Sequence, residues 1–371
     1  MKKYFLVIIA LTFLISGCAS LSSHRAKQFD NETILKLDKV VSDSLSRYKS
    51  PGMVLGVWSN DREYLNASGM ADIGTGRRMN HSDFFKIGSL TKTYVGTVIL
   101  QMIDEGLLSL DDTVDKYINN VPNGKNITIR MLLNMTSGLY NYSESKTWGK
   151  IAEENLLYKW DPYELLTYAF KEEPYFPPGQ NHHYSNTNTI MLGIIIEKLS
   201  RDKLENQIKI RILDRLNLKN TSFPNIPTYT GQYIHGYMYK GDMLEDWSEK
   251  MDPSWAWAAG GMISNISDIK TYIKALGDGT FLSKDLQQKR FKDCFKNSLP
   301  GYKTLYYCLG AFKVGGFYGH NGGLPGYVNI AMHNPESGTT IVLMLNTQPP
   351  GNATVDIFRE VFTVLYPDRD I

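Results

Sequence analysis

The placement of strand and helix patterns along the chain constrains its fold more than any other feature. Two β-strand patterns lie near the start, at residues 52–59 and 62–70. Three β-rich segments separated by glycine-bearing turns lie near the end, at residues 310–318, 328–333 and 340–346. The long region between them is mostly helical in pattern. This arrangement predicts an α+β fold, in which an antiparallel sheet built from both chain ends carries packed helices and an inserted, mainly helical subdomain.

Apolar residues at helical spacing predict the remaining elements. The predicted helices cover residues 34–45, 86–107, 128–134, 163–170, 190–199 and 352–366, and one more begins near Asn265. We therefore assign residues 33–371 to one domain. Its sheet part covers about 33–85 and 270–371, and its helical part covers about 86–269.

The N-terminus carries an export signal. Two lysines precede an apolar run over residues 4–15, which is too short to span a bilayer and is typical of a signal segment. Small residues then precede Cys18, as in the lipobox of bacterial lipoproteins. We predict a signal peptide over residues 1–17, a lipid anchor at Cys18 and a tether over residues 18–32. Because Ala19 follows the cysteine, the outer membrane, facing the periplasm, is favoured; the alternative is a plain secretory signal that contains a cysteine.

The mature chain has no surplus of charge. The full sequence holds 40 basic and 38 acidic residues, and Lys2 and Lys3 of the leader account for the difference. A protein that binds nucleic acid needs a basic surplus to neutralise phosphates, so we expect no nucleic-acid partner.

Neither cysteine nor histidine spacing predicts a metal site. Cys294 and Cys308 remain after the leader, and an exported protein can oxidise them. The sequence leaves open whether they form a disulfide or stay separate buried thiols. His182 and His183 are neighbours, and in an extended chain their side chains point to opposite faces. We therefore expect no bound metal.

A serine–lysine pair near the start of the 86–107 helix is the candidate nucleophile. Ser89 and Lys92 are three residues apart, so a helix places both on one face with Cβ atoms about 5–6 Å apart. A serine hydroxyl attacks a carbonyl only when a nearby base takes its proton. For this role the lysine pKa must fall from about 10.4 towards neutrality, which desolvation can achieve.

The spacing of this pair does not decide the assignment alone. The same spacing occurs at Ser46/Lys49, Ser143/Lys146, Ser200/Lys203 and Ser267/Lys270. We interpret those four as surface polar pairs. Ser89 differs because Gly88 precedes it and a strongly apolar helix follows. The alternative is an N-cap serine beside a solvated lysine.

Tyr184 and Asn186 are the candidate proton relay and amide-binding group. They follow a Pro-Pro-Gly turn, in a predicted loop before a helix. A phenol beside a charged lysine can pass a proton to the leaving group, and an asparagine amide can hold both the lysine and the substrate amide. The same spacing recurs at Tyr64, Tyr117 and Tyr327, in poorer settings for a relay. The alternative for Tyr184 is a half-buried aromatic that covers the loop.

His320, Asn321, Gly322 and Gly323 end a predicted strand and form the candidate substrate-binding edge. Glycines let a substrate lie against the strand, and His320 would flank the carbonyl or carboxylate end of the substrate. The N–H groups of Gly323 and Ser89 would form a two-donor oxyanion hole, in which each donor is worth about 2.7–4 kcal/mol. The alternative is a glycine-rich hairpin turn with an incidental histidine.

Taken together, these motifs resemble those of the penicillin-recognising serine hydrolases, in the branch with class C β-lactamases, D-alanyl-D-alanine carboxypeptidases, D-aminopeptidases and related esterases. The resemblance runs from about residue 34 to 365. Its strongest blocks are residues 85–92, 106–112, 127–139, 259–268 and 319–327.

The resemblance implies a β-lactamase-like fold with the site in the cleft between the sheet and helical parts. It implies Ser89 as nucleophile, Lys92 as its base partner and Tyr184 as proton shuttle. It also implies that Asn186 holds the substrate amide and that His320 acts from the closing strand. No metal or organic cofactor is implied.

The closing motif separates the functional hypotheses. The wider superfamily closes with Lys-Thr-Gly, whereas this chain has His320 at the lysine position. Histidine is mostly neutral at pH 7, so the fixed cation that would face a β-lactam carboxylate is missing. His-x-Gly resembles the carboxypeptidase, aminopeptidase and esterase members. The leading hypothesis is therefore a Ser89 acyl-enzyme hydrolase of D-alanyl-D-alanine carboxypeptidase or D-amino-acid peptidase type.

Two alternatives remain. The first is a β-lactamase or small-ester hydrolase on the same residues, distinguished by how fast the acyl-enzyme is hydrolysed. The second is an inactive lipoprotein that binds cell-wall fragments. The expected partners are thus a small peptide, ester or β-lactam and the membrane that holds the anchor.

Overall fold

The computed structural model describes residues 26–224, 226, 229, 231–296 and 305–371. The predicted signal peptide and the lipid anchor at Cys18 lie outside these residues. The tether was expected to reach residue 32, but the strand Lys27–Gln28 already pairs with Arg62 and Glu63. The folded part therefore begins earlier than the sequence predicted. Of the helices that these residues form, none has the length and apolarity needed to cross a bilayer.

A ten-stranded sheet forms the centre of the fold. Its order is β1-β3-β2-β14-β13-β12-β11-β10-β9, with β4 paired to β3. The strands are β1 Lys27–Gln28, β2 Gly52–Ser59, β3 Arg62–Asp72, β4 Arg77–Arg78, β9 Phe295–Lys296, β10 Tyr306–Tyr307, β11 Phe312–Val314, β12 Phe317–Leu324, β13 Tyr327–Asn334 and β14 Thr339–Leu345. All neighbours are antiparallel except β1 and β3. Because β2 pairs directly with β14, the prediction of an α+β fold whose sheet joins both chain ends is confirmed.

Two short strand pairs lie outside this sheet. The strands β5 (Phe85–Lys86) and β8 (Ile263–Ser264) pair with each other, as do β6 (Tyr237–Lys240) and β7 (Met243–Asp246). The first pair joins the strand that precedes Ser89 to a segment that lies almost 180 residues later in the sequence.

Helices cover both faces of the sheet. They are α1 Asn31–Arg47, α2 Thr91–Asp104, α3 Ile129–Leu133, α4 Lys146–Glu154, α5 Pro162–Phe170, α6 Asn186–Ser200, α7 Leu204–Ile208, α8 Asp214–Leu216, α9 Trp257–Gly260, α10 Ile266–Asp278, α11 Lys284–Arg290 and α12 Ala353–Leu365. In β2, Leu55 and Val57 share a core with α1 and α12, whereas Val54 and Trp58 face α10 and the helical part. This alternation follows from the two-residue period of a strand.

Local capping signals fix several helix starts. Thr128 accepts a hydrogen bond from the Met131 N–H at the start of α3, and Asn265 accepts one from the Asp268 N–H at the start of α10. Side-chain oxygens of this kind satisfy N–H groups that the first helical turn leaves unpaired. The predicted helix start near Asn265 is thus confirmed.

Two helices that flank the site begin at different residues from those predicted. The 86–107 helix was expected to include Lys86, but that residue pairs in β5 and α2 starts only at Thr91. A turn of 3₁₀-helix over Gly88–Leu90 links the two elements. The 190–199 helix instead begins at Asn186, so this residue lies on α6 and not in a loop.

A disulfide joins Cys294 and Cys308. The sequence left this pairing open. The bond connects the segment after α11 to the end of β10, beside Tyr307.

Candidate active site

Ser89 lies in the sharp 3₁₀ turn that precedes α2. Gly88 has a φ of +52°, a left-handed conformation that favours glycine. A Cβ on Gly88 would come within 2.8 Å of the Gly323 nitrogen, so the turn and β12 pack main chain against main chain. The Ile87 N–H donates to the Met262 carbonyl at 3.0 Å and fixes the turn from the other side. The turn therefore presents Ser89 directly at the edge of β12.

Lys92 is buried beside Ser89. Its Nζ lies 3.0 Å from Ser89 Oγ and donates to the Ala259 carbonyl at 2.7 Å. Only 2% of Lys92 is exposed, and burial lowers the pKa of its amine well below the ordinary value. Within the described part of the chain, no carboxylate forms an ion pair with Lys92. An amine held in this state is able to take the Ser89 proton.

Tyr184 completes a compact cluster around this pair. Lys92 Nζ lies 4.9 Å from the centre of the Tyr184 ring. The Tyr184 hydroxyl is buried and lacks a partner at hydrogen-bonding geometry among the described residues. Burial raises the pKa of this phenol, and Ser89 lies near enough to lower it in part. The phenol is therefore protonated at neutral pH and faces the serine.

Asn186 occupies the first position of α6, close to Tyr184 but with other partners. Its side-chain amide donates to Ser143 Oγ at 3.0 Å, and its main-chain N–H donates to Asn141 Oδ1 at 3.1 Å. No hydrogen bond joins Asn186 to Lys92 among the residues that the structure describes. The expectation that this amide holds the lysine is therefore wrong for this structure, because the Lys92 amine donates to the Ala259 carbonyl instead.

His320 is fully buried on β12 and is electrically neutral. The His320 Nδ1 pairs with the Asn321 carbonyl, and its Nε2 lies 3.2 Å from the Tyr307 hydroxyl. This network assigns the proton to Nδ1 and makes Nε2 the acceptor. Burial, with Lys92 nearby, lowers the His320 pKa to about 3. His320 therefore lies in the wall behind Tyr184, whereas we had expected it to flank the substrate.

The end of β12 is open on the side that faces Ser89. The strand β11 pairs with β12 only as far as Gly319. A Cβ on Gly322 would collide with the Ile87 carbonyl, which explains a glycine at that position. A Cβ on Gly323 would meet nothing within 4 Å. Gly322 and Gly323 thus lie where the sequence placed the substrate-binding edge.

Asn321 does not share this face. Its side chain lines a pocket with Phe312, Ile330 and Phe358, on the α12 side of the sheet. Successive residues of a strand point to opposite faces, so Asn321 must point away from Ser89 if its neighbours point towards it. The structure therefore places the Asn321 side chain on the face of β12 away from Ser89, and a role of Asn321 in substrate binding stays a prediction.

The two adjacent histidines have separate environments. His182 stacks on Phe295 with ring centres 5.6 Å apart, and His183 stacks on Tyr175 at 3.7 Å. Both serve as aromatic supports for the loop that carries Tyr184.

Sequence reasoning missed three groups that support the site. The Ala259 carbonyl holds Lys92, Tyr307 holds His320, and Ser143 holds Asn186. Of these three, only Ala259 could have been found from the sequence, because it begins one of the blocks that resemble the family. The other two become visible only when distant segments come together.

A half-buried serine beside a buried lysine, at the junction of a sheet and a helical part, is the arrangement of the penicillin-recognising serine hydrolases. The sequence model of the beta-lactamase family matches residues 37–364, and the chain belongs to this family.

The relatives and structural neighbours are consistent with this class. The chain is 26% identical over 326 residues to a penicillin-binding protein of Bacillus subtilis (81% of this chain, 69% of that protein). It is 28% identical over 242 residues to a β-lactamase of Psychrobacter immobilis (64% of this chain, 57% of that protein). A D-stereospecific amidohydrolase from Streptomyces sp. superposes with a TM-score of 0.79 at 28% identity, over 89% of this chain and 97% of that chain.

Proposed function

We propose that the protein hydrolyses amide bonds after D-amino acids through an ester on Ser89, as a D-amino-acid peptidase or D-alanyl-D-alanine carboxypeptidase-like enzyme. The observation that carries this proposal is the 3.0 Å approach of Ser89 Oγ to a buried Lys92 amine without a carboxylate partner in the described structure. A solvated lysine would keep its proton at neutral pH and could not serve as a base.

The first half of the reaction forms the ester. Neutral Lys92 takes the Ser89 proton while Oγ attacks the substrate carbonyl, giving a tetrahedral oxyanion. The N–H groups of Ser89 and Gly323 stabilise this oxyanion by about 2.7–4 kcal/mol each. Tyr184, beside the now protonated Lys92, gives its proton to the leaving amine and recovers one from Lys92. The C–N bond breaks and the acyl group stays on Ser89.

The second half releases the acid. Water attacks the ester and gives one proton to Tyr184 or Lys92. The bond between Ser89 Oγ and the acyl carbon then breaks, and Oγ takes that proton back as the acid leaves. Burial supplies the lowered lysine pKa that these steps need, and the free energy of folding offsets its cost. No metal or organic cofactor takes part in these steps.

Two features support a D-amino-acid peptide as substrate, and a third argues against a β-lactam. The similarity to a D-stereospecific amidohydrolase is among the stronger structural matches and covers almost all of that chain. The open end of β12 can pair with an extended peptide. Since His320 is neutral, β12 presents no histidine cation to the carboxylate of a β-lactam.

The test is covalent labelling with a fluorescent penicillin, read by intact mass and peptide mapping. We expect one adduct per chain on the peptide that holds Ser89, and none in Ser89→Ala. Ser267→Ala is the matched control, because Ser267 has the same spacing to a lysine on α10, and it should label like the wild type. An adduct on another serine, or hydrolysis that survives Ser89→Ala, would overturn the proposal.

We also propose that the protein is exported and held in the membrane by lipid chains on Cys18. The support is the sequence alone: a short apolar run followed by small residues and a cysteine. Metabolic labelling with an alkyne fatty acid tests it. The wild type should incorporate label and Cys18→Ser should not, and equal labelling of both would refute the anchor.

A further inference from the structure

Tyr307 is a fully buried phenol behind the candidate active site, and the proposed reaction steps give it no role. It ends β10, a strand of two residues, and the next residue, Cys308, is tied by the disulfide to the segment after α11. The Tyr307 hydroxyl lies 3.2 Å from His320 Nε2. Burial raises the pKa of Tyr307 well above its ordinary value, so the phenol keeps its proton at neutral pH. Tyr307 therefore presents a permanent hydrogen-bond donor to His320.

The other side of the imidazole fixes the direction of this hydrogen bond. The Asn321 carbonyl can only accept, so His320 Nδ1 must carry the ring proton. Because burial keeps His320 neutral, Nε2 has a lone pair and no hydrogen. Tyr307 consequently donates and Nε2 accepts. Both ring nitrogens of His320 are thus paired with groups that take no part in the proposed proton transfers.

Tyr184 lies in a corner between these two rings. The centre of its ring is 6.0 Å from that of Tyr307, at an interplanar angle of 77°, and 6.1 Å from that of His320. The Tyr307 and His320 rings cross each other at 86°. Packing against both rings holds the Tyr184 ring, whereas its hydroxyl has no partner at hydrogen-bonding geometry in the described part of the chain. The direction in which this hydroxyl points therefore depends on which acceptors are open to it.

A His320 Nε2 without the Tyr307 hydroxyl would be such an acceptor. A neutral imidazole nitrogen is far more basic than a serine hydroxyl. A buried hydroxyl without a partner costs free energy, so Tyr184 would gain stability by donating to an open Nε2. That hydrogen bond would turn the phenol away from Ser89 and hold the proton that the leaving amine needs.

We propose that Tyr307 is a positioning residue for acyl transfer: its hydroxyl occupies His320 Nε2 and so keeps the Tyr184 proton available to the leaving amine. The inference rests on the proposed acyl transfer at Ser89 and adds to it a residue that acts through Tyr184 without touching the substrate.

Matched amide and ester substrates test this role. N-acetyl-D-alanine p-nitroanilide and the corresponding p-nitrophenyl ester share an acyl group, and only the anilide needs a proton on its leaving group. Tyr307→Phe keeps the ring and removes the hydroxyl. We expect it to lower kcat/KM for the anilide about 10-fold, as the loss of one hydrogen bond does, and kcat/KM for the ester by less than about two-fold. An unchanged value for the anilide, or equal losses on both substrates, would overturn the proposal.

Tyr64→Phe is the matched control for the stability lost with a buried tyrosine hydroxyl. Tyr64 is buried on β3, and its hydroxyl donates to Asp38 Oδ1 at 2.7 Å on the α1 side of the sheet. The control should keep the wild-type values on both substrates. A loss in Tyr64→Phe that matches the loss in Tyr307→Phe would show that the effect is one of stability, and would overturn the proposal.

A double-mutant cycle shows whether the effect passes through Tyr184. Adding Tyr307→Phe to Tyr184→Phe should cause no further loss on the anilide, because the proton that Tyr307 protects is already absent. A further loss of about 10-fold in the double variant would show that Tyr307 acts elsewhere, and would overturn the proposal.

NMR of protein labelled with nitrogen-15 histidine separates this inference from the catalytic one. The His320 signals, assigned by their absence in His320→Gln, should show a proton on Nδ1 and a hydrogen-bonded Nε2 in the wild type. Nε2 should stay hydrogen-bonded in Tyr307→Phe, where Tyr184 takes over, and become free only when Tyr184→Phe is added. If these signals appear but the wild type does not hydrolyse the anilide, the positioning contact stands and the proposed function fails. If hydrolysis depends on Ser89 but Nε2 is already free in Tyr307→Phe, the positioning role fails and the proposed function stands.

Discussion

Replacing Gly88 by alanine should impair catalysis far more than it impairs folding. The left-handed φ of +52° costs an L-residue roughly 1–2 kcal/mol. The new Cβ would also lie 2.8 Å from the Gly323 nitrogen, and neither main chain can rotate away. Relief of that contact by a shift of a few tenths of an ångström adds on the order of 1–2 kcal/mol. We expect the free energy of unfolding to fall by about 2–4 kcal/mol.

The same shift moves the Gly323 N–H away from the Ser89 oxygen. Loss of one oxyanion donor reduces kcat about 10²- to 10³-fold. The assay is kcat for a D-alanine p-nitroanilide, with unfolding followed in urea to give the stability of the same preparation. Gly149→Ala on α4 is the matched control, because a Cβ there meets nothing within 4 Å. It should keep wild-type activity and gain up to about 1 kcal/mol of stability. A Gly88→Ala enzyme with kcat within three-fold of the wild type would refute the packing argument.

Three further predictions concern single groups around the site. Tyr184→Phe should lower kcat for an amide about 10²-fold or more. The loss should be much smaller for a p-nitrophenyl ester, because its leaving group needs no proton. Equal losses on both substrates would contradict the role of Tyr184 as proton relay. His320 has a folded-state pKa lowered to about 3, so its contribution to stability is complete above its unfolded pKa near 6.5 and is lost as pH falls towards 3. Urea unfolding between pH 7 and 4 should show the free energy of unfolding decreasing as the pH falls, and His320→Gln should weaken this dependence on pH. Replacing both Cys294 and Cys308 by serine should lower the free energy of unfolding by about 3 kcal/mol, as measured in urea, because the bond restricts the unfolded chain; an unchanged free energy of unfolding would contradict this prediction.

The sequence predicted the layout of the fold because its signals are local. Strand patterns at the two ends had to pair with something, and no other long β-rich segments were available. The helix that begins at Asn265 was predictable because the cap and the N–H it satisfies lie three residues apart. The Ser89 and Lys92 pair was predictable for the same reason.

The remaining features of the site depend on contacts between distant segments. The strand Phe85–Lys86 could not be told from the start of a helix until its partner Ile263–Ser264 was known. The role of His320 as a buried neighbour of Tyr307 depends on how β10 and β12 come together. The face that Asn321 occupies also depends on how β12 packs, because a sequence motif does not say which face of the strand each residue occupies.

The pH dependence of Ser89 acylation tests the central claim most directly. Single-turnover labelling with a fluorescent penicillin should speed up with rising pH and level off, with a midpoint well below the ordinary lysine pKa of about 10.4, because acylation requires neutral Lys92. Lys92→Met should abolish the labelling and its pH dependence while the protein remains folded. A midpoint near 10, or labelling that persists without Lys92, would contradict the account.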